Sequence, residues 1–172
     1  MSGAGKVCIF YKHTEVMRIL ETTLGHRFPV IYKGGMTDDQ KDVAKRKFMD
    51  PKGDCEVFLG QIQASGTGIN GLQKASHTIV FAELEWSFEE MRQNMARLRR
   101  MGMDMGRPVN CYMPHVPGTI ESAILGRNVG SKMVVEKIYG RETSGIIETA
   151  TAGKEKITGP TAEEMALLGD LI

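Results

Sequence analysis

The chain has 172 residues, 41% of them hydrophobic, enough for one full-sized core and too few for two large ones. Lys and Arg number 22 against 21 Asp and Glu, a formal charge of +1, which excludes a globally basic nucleic-acid binder and leaves such contacts to local patches. Cys8, Cys55 and Cys111 lie far apart and are odd in number, fitting neither a disulfide framework nor paired zinc ligands, so they read as reduced, buried thiols. No apolar run approaches the length of a membrane span, and the start Met-Ser-Gly-Ala-Gly-Lys has no signal-peptide core. A soluble, intracellular protein, cytoplasmic or nucleoid-associated and without membrane contact, is the expectation.

Gly3-Ala4-Gly5-Lys6 is not a phosphate loop: no strand precedes it, its glycines are too close, and Val7 stands where Ser or Thr is needed. Val7 to Tyr11 is an apolar run suited to a buried strand. Thr14 then opens a helix whose Val16, Ile19, Leu20 and Leu24 follow helical spacing up to Gly25. Phe28 to Tyr32 reads as a second strand ending at Gly34-Gly35. Thr37 with Gln40 forms a capping box for a helix through Phe48, which Pro51 and Gly53 close. Glu56 to Gly60 is the third strand, followed by a turn, Gln61 to Gly71, rich in glycine, Ser and Thr, where backbone can approach a ligand closely. Thr78 to Ala82 is the fourth strand.

The next stretch, Trp86 to Gly102, reads as one helix, opened by the Ser87/Glu90 capping box and stopped by Gly102. Phe88, Met91, Met95 and Leu98 gather on one side of it; Gln93, Arg97 and Arg100 gather opposite. Five arginines and one acidic residue, Asp104, lie between Arg92 and Arg107, a local charge of +4 that suits an anion. Val109 to Met113 is a fifth strand, and Thr119 opens a helix with Ile120, Ala123 and Ile124 facing inward. The pattern loosens from Gly126. Lys132 to Tyr139 forms one more helix, Arg141 to Pro160 reads as a linker, and Thr161 with Glu164 caps a short apolar helix containing Met165, Leu167, Leu168 and Leu171. Strands separated by helices predict an α/β fold with a mostly parallel sheet covered on both faces, and ligands beyond the carboxyl ends of its strands.

Gln93-x-x-x-Arg97-x-x-Arg100-x-Gly102 resembles the sixth motif of superfamily 2 helicases and translocases, most of all the Swi/Snf-type DNA-translocating ATPases. Val7 to Phe10 with Lys12-His13-Thr14 is similar to the fourth motif of that family, and Ala64-Ser65-Gly66-Thr67-Gly68-Ile69-Asn70 with Leu72, Gln73 and Ala75 is similar to the fifth. Gly34-Gly35-Met36-Thr37 with Lys41 and Phe48, Trp86-Ser87, and Thr119-Ile120-Glu121 with Ile124 resemble further segments. Departures are Lys41 where Arg is common, Ser87 in the usual Trp-Asn pair, Arg99 where His is usual and Met103 where Gln is usual.

The resemblance implies the second lobe of a two-lobed motor: a three-layer RecA-like domain over residues 1–140, with a linker and helical C-terminal tail over 141–172. It implies that Arg97 and Arg100, with Gln93, reach the γ-phosphate of ATP held by a neighbouring lobe, and that Gly68 and Asn70 lie against the nucleotide. Lys12, His13, Gly34, Gly35, Ser65, Gly66, Thr67 and Trp86 would meet the nucleic-acid backbone, expected to be double-stranded DNA. The chain carries neither a phosphate-loop lysine nor an acidic magnesium motif after a strand, and no metal ligand is expected in it. ATP and Mg²⁺ are expected only together with a phosphate-loop-containing N-terminal lobe, in cis or in trans, so hydrolysis by this chain alone is not. Two alternatives stand beside this reading. One is a nucleic-acid- or protein-binding adaptor without an ATP cycle, helped by Lys41, Lys45, Arg46 and Lys47. The other is a complete small nucleotide-binding enzyme, for which a dinucleotide fingerprint is lacking.

Overall fold

A computed structural model describes residues 5–65, 69–102 and 106–139, apart from the side chains of 129 and 131–139. The described residues fall into two compact units, one within Met1–Glu85 and Glu89–Pro114, the other within Trp86–Phe88 and His115–Ile172. The expected boundary at 140/141, the linker and the Thr161 helix lie outside the described residues.

Five strands make one parallel sheet in the order β2-β3-β1-β4-β5: β1 (Lys6–Tyr11), β2 (Val30–Tyr32), β3 (Val57–Gln61), β4 (Ser76–Phe81) and β5 (Asn110–Tyr112). The connecting helices are α1 (Thr14–Thr23), α2 (Asp38–Met49), the single turn α3 (Ile62–Ser65) and α4 (Phe88–Met95). The step from β1 to β2 crosses the sheet in the opposite direction to the later steps. Right-handed crossovers therefore put α1 on one face and α2 and α4 on the other.

The period of two along each strand sorts the core accordingly. Tyr11, Val57 and Leu59 pack with Met17 of α1, and Ile9, Ile31, Val16 and Leu20 close around them. On the other face the rings of Phe10 and Phe81 stand 5.6 Å apart, and Phe58 meets Phe48 of α2 at 5.4 Å and Tyr32 at 5.8 Å. Gly60 lies between these rings: a Cβ there would come within 2.9 Å of both Phe10 and Phe58 and within 2.7 Å of the Ser65 hydroxyl.

The capping box of α2 forms as expected, with Gln40 N–H donating to Thr37 Oγ1 at 3.3 Å and Thr37 N–H to Gln40 Oε1 at 3.0 Å. Other elements differ from the sequence expectation. The second strand starts at Val30, because the chain before it makes a 3-10 turn (Gly25–Arg27) ending with Phe28 at φ 49°, in the left-handed region. The arginine-bearing helix stops at Met95, not Gly102, for reasons described with the site. In the second unit, α5 (Ile120–Tyr139) runs unbroken through Gly126 and Gly130, where a break and a separate Lys132–Tyr139 helix were expected. It buries Ala123 and Ile124 as predicted, together with Leu125, but Ile120 is 55% exposed, a correction to its inward assignment. Thr119 instead organises the helix start, its hydroxyl donating to the Val116 carbonyl at 2.7 Å while Glu121 accepts from the Val116 N–H.

Candidate functional site

Because every strand is parallel, the segments after Tyr11, Tyr32, Gln61 and Phe81 emerge on one edge, where ligands of such sheets bind. Gln61 ties three of these segments together. Its Oε1 accepts from the Gly34 N–H at 2.9 Å, its Nε2 donates to the Lys12 carbonyl at 3.4 Å, and its own carbonyl accepts the Ser65 hydroxyl at 2.5 Å. Gly35 then turns the chain with φ +78°, a conformation that glycine adopts without a Cβ penalty.

The arginine segment is built differently from the uninterrupted helix the sequence suggests. Ala96 N–H still bonds Arg92 O, but Arg97 N–H bonds Asn94 O and Leu98 N–H bonds Met95 O, so the ladder tightens to i→i+3 and ends. Two buried side chains force this. Leu98 is wholly buried, and the amide of Asn94, equally buried, donates to Ile62 O at 3.0 Å and Glu90 O at 2.9 Å. Beyond Met95 the chain runs as a turn stitched to the segment after β3. Arg97 Nη1 donates to the Ile69 carbonyl at 3.5 Å, Arg100 Nη1 to Asn70 Oδ1, and Gln73 Nε2 to the Met101 carbonyl at 3.2 Å. Arg97 and Arg100 thus meet the Ile69–Asn70 segment, although not from one helical face. Burial, and after it the neighbouring Arg100 charge, hold the Arg97 guanidinium below the usual arginine value. Two adjacent guanidiniums favour an incoming polyanion.

Gln93 is not drawn into this cluster; its Nε2 faces Glu89 Oε1 on its own helix at 3.4 Å. Arg92 makes two bonds to the same carboxylate, at 2.6 and 2.7 Å, which raises the Arg92 pKa and lowers that of Glu89. Lys12 and His13 also differ from exposed phosphate ligands. Lys12 Nζ pairs with Glu85 at 2.9 Å, and Glu83 accepts from the Lys12 N–H at 2.8 Å and the His13 N–H at 2.9 Å, with His13 Nδ1 2.6 Å away. Burial alone would raise the Glu83 pKa, but these bonds outweigh it and hold the carboxyl below its ordinary range. Ser65 is fully buried, behind the edge and not on it. Gly66, Thr67 and Gly68 lie outside the described residues. In the second unit, the Trp86 ring is faced by the Arg127 guanidinium at 5.9 Å. Lys41 and Lys45 pair with Asp38 and Asp42 within α2, at 3.7 and 2.5 Å, which is how a solvated helix face behaves.

Asn94, Gln61 and Glu83 are the site-building residues that motif matching leaves out, and Gln73 is one that it quotes without a role. Asn94 carries a readable signal: it lies three residues after Met91 and four before Leu98, on the apolar stripe, where a polar side chain must bond internally. Among the described residues no group of three His, Cys, Asp or Glu side chains is placed to hold a metal ion, and no helix is long and apolar enough to cross a membrane.

Residues 1–102, which span the sheet through β4 and both arginines, match the helicase conserved C-terminal domain. The chain belongs to that family. It is 28% identical over 141 residues to the DNA repair and recombination protein RAD54-like of Drosophila willistoni, covering 81% of this chain and 18% of that protein. It is also 28% identical over 124 residues to the chromatin structure-remodeling complex subunit snf21 of Schizosaccharomyces pombe, covering 71% of this chain and 10% of that one. The helicase lobe thus spans about a fifth or less of the length of these relatives. The solved C-terminal part of the Fun30 ATPase domain superposes with a TM-score of 0.64 at 24% identity, over 79% of this chain and 48% of that one, a likeness of fold. Together these bear out the resemblance to the C-terminal RecA-like lobe of Swi/Snf-type superfamily 2 proteins.

Proposed function

We propose that this helicase lobe is the second half of a nucleic-acid-dependent ATPase and that Arg97 and Arg100 act as its arginine fingers. The observation that carries the reading is the pair of adjacent guanidiniums hydrogen-bonded to Ile69 O and Asn70 Oδ1, in the segment that joins β3 to β4. ATP and Mg²⁺ would be held by a phosphate-loop lobe, in cis or in trans, and supply the phosphoryl group to be transferred. This chain's share is electrostatic. Arg97 and Arg100 stabilise charge growing on the phosphoryl oxygens, and Asn70 keeps Arg100 aimed. Such fingers are worth roughly 10³ to 10⁵ in turnover, or about 4–7 kcal/mol of barrier.

The named relatives act in DNA repair and chromatin remodelling, which supports double-stranded DNA as the partner and an intracellular setting. Gly34, Gly35 and the turn after Ser65 would face its backbone. In the assembled two-lobe enzyme, Arg100→Ala is expected to leave folding intact and abolish DNA-stimulated ATP hydrolysis; near-normal turnover would discard the finger assignment. An adaptor without an ATP cycle has no use for the arginine pair, and Lys41 and Lys45, two of the α2 cations that would serve it, are paired within their own helix.

A further inference from the structure

The turn that carries Arg100 has no α-helical ladder of its own after Ala96, so its position depends on bonds from elsewhere in the chain. One comes from Gln73, which is 7% exposed and lies in the 3-10 turn Leu72–Lys74. Its Oε1 accepts from the Gly71 N–H at 3.0 Å, and its Nε2 donates to the Met101 carbonyl at 3.2 Å. Turned over, the amide would set its NH₂ against the Gly71 N–H and its oxygen against the Met101 oxygen, so one orientation satisfies both partners. Gly71 itself has φ +104°, and a Cβ there would collide with Met49, so the loop cannot shift freely to compensate. Asn70 and Arg100, the residues one position back on each side of this bridge, are themselves hydrogen-bonded.

We infer that Gln73 is a positioning residue: its side-chain amide locks the Arg97–Met101 turn against the Ile69–Gly71 loop and so sets where the Arg100 guanidinium sits. The inference rests on the proposed finger role, because it says what keeps that finger in place. It assigns Gln73 no contact with nucleotide or nucleic acid.

The test uses Gln73→Met, similar in size and lacking both bonds, and Gln73→Glu, which keeps the acceptor and loses the donor. In the assembled enzyme with duplex DNA, each is expected to lower kcat at least about tenfold while KM for ATP and the half-saturating DNA concentration stay within about threefold. Gln73→Met combined with Arg100→Ala is expected to fall no further than Arg100→Ala alone, since one acts through the other. Multiplicative losses, or a loss in DNA affinity without a loss in kcat, would overturn the inference. The two readings separate on this chain alone, where the Arg100 Nε–Hε NMR resonance should broaden and exchange faster with water in Gln73→Met, while that of Arg92, held by Glu89, stays unchanged. If Arg100→Ala leaves turnover intact, the finger reading fails and this resonance decides the Gln73 bridge. An Arg100 signal indifferent to Gln73→Met refutes it.

Discussion

Replacing Glu83 with alanine should unfasten the corner where β1 passes into α1. His13 is the N-cap residue of α1 and its side chain makes no capping bond; the carboxylate of Glu83 fastens the backbone leading into the helix by accepting from the Lys12 and His13 N–H groups at 2.8 and 2.9 Å. Losing a hydrogen bond to a charged group costs about 1.5–3 kcal/mol. The contact with the His13 ring adds only a few tenths, roughly, because that ring is 65% exposed to screening solvent. A loss of about 2 kcal/mol is expected, which, with an m-value of about 2 kcal/mol/M, lowers the urea midpoint by about 1 M. Equilibrium urea unfolding at neutral pH measures it. The folded-state pKa of Glu83 is depressed, so its stabilisation is full above the ordinary value of 4.5 and is lost as pH falls through the lower folded-state value. The gap between wild type and variant should therefore close in acid below about pH 4.5. A midpoint unchanged at pH 7, or a gap that widens in acid, would refute the assignment of Glu83 as the group that fastens the start of α1.

Asn94→Ala removes two buried bonds and should cost about 2 kcal/mol, lowering Tm by roughly 4–8 °C in calorimetry. Gly60→Ala drives a methyl group into Phe10, Phe58 and the Ser65 hydroxyl, all within 2.9 Å; an overpacking loss of about 1–3 kcal/mol is expected in the same scan. Burial pushes the Cys8 thiol up to about 12, so iodoacetamide at pH 8 should label it, as read by mass spectrometry, only after denaturant is added.

The sheet was legible in the sequence because each strand is a short apolar run between turn residues, and a parallel arrangement follows once helical patterns separate those runs. The α2 start was legible for a local reason: Thr37 and Gln40 satisfy each other across three residues. Features set by distant contacts were not. The resemblance set Lys12 and His13 against a nucleic-acid backbone, but their carboxylate partners Glu83 and Glu85 lie about 70 residues on and meet them through the β1–β4 pairing. The end of α4 was misplaced because Gly102 supplied a plausible stop, whereas the stop that operates is the burial of Asn94 and Leu98 against the segment after β3. In α5, Gly126 and Gly130 cost about 1 kcal/mol each relative to alanine, and the helix continues through both.

The most direct measurement of the central claim is the affinity of the assembled lobes, with duplex DNA, for ADP–aluminium fluoride, which mimics the phosphoryl group in transfer, set against their affinity for ATP. Arg97→Ala and Arg100→Ala should each weaken the mimic at least about 100-fold and ATP by less than about tenfold, as expected of groups that serve the transition state. Equal losses for the two ligands, or none, would contradict the account.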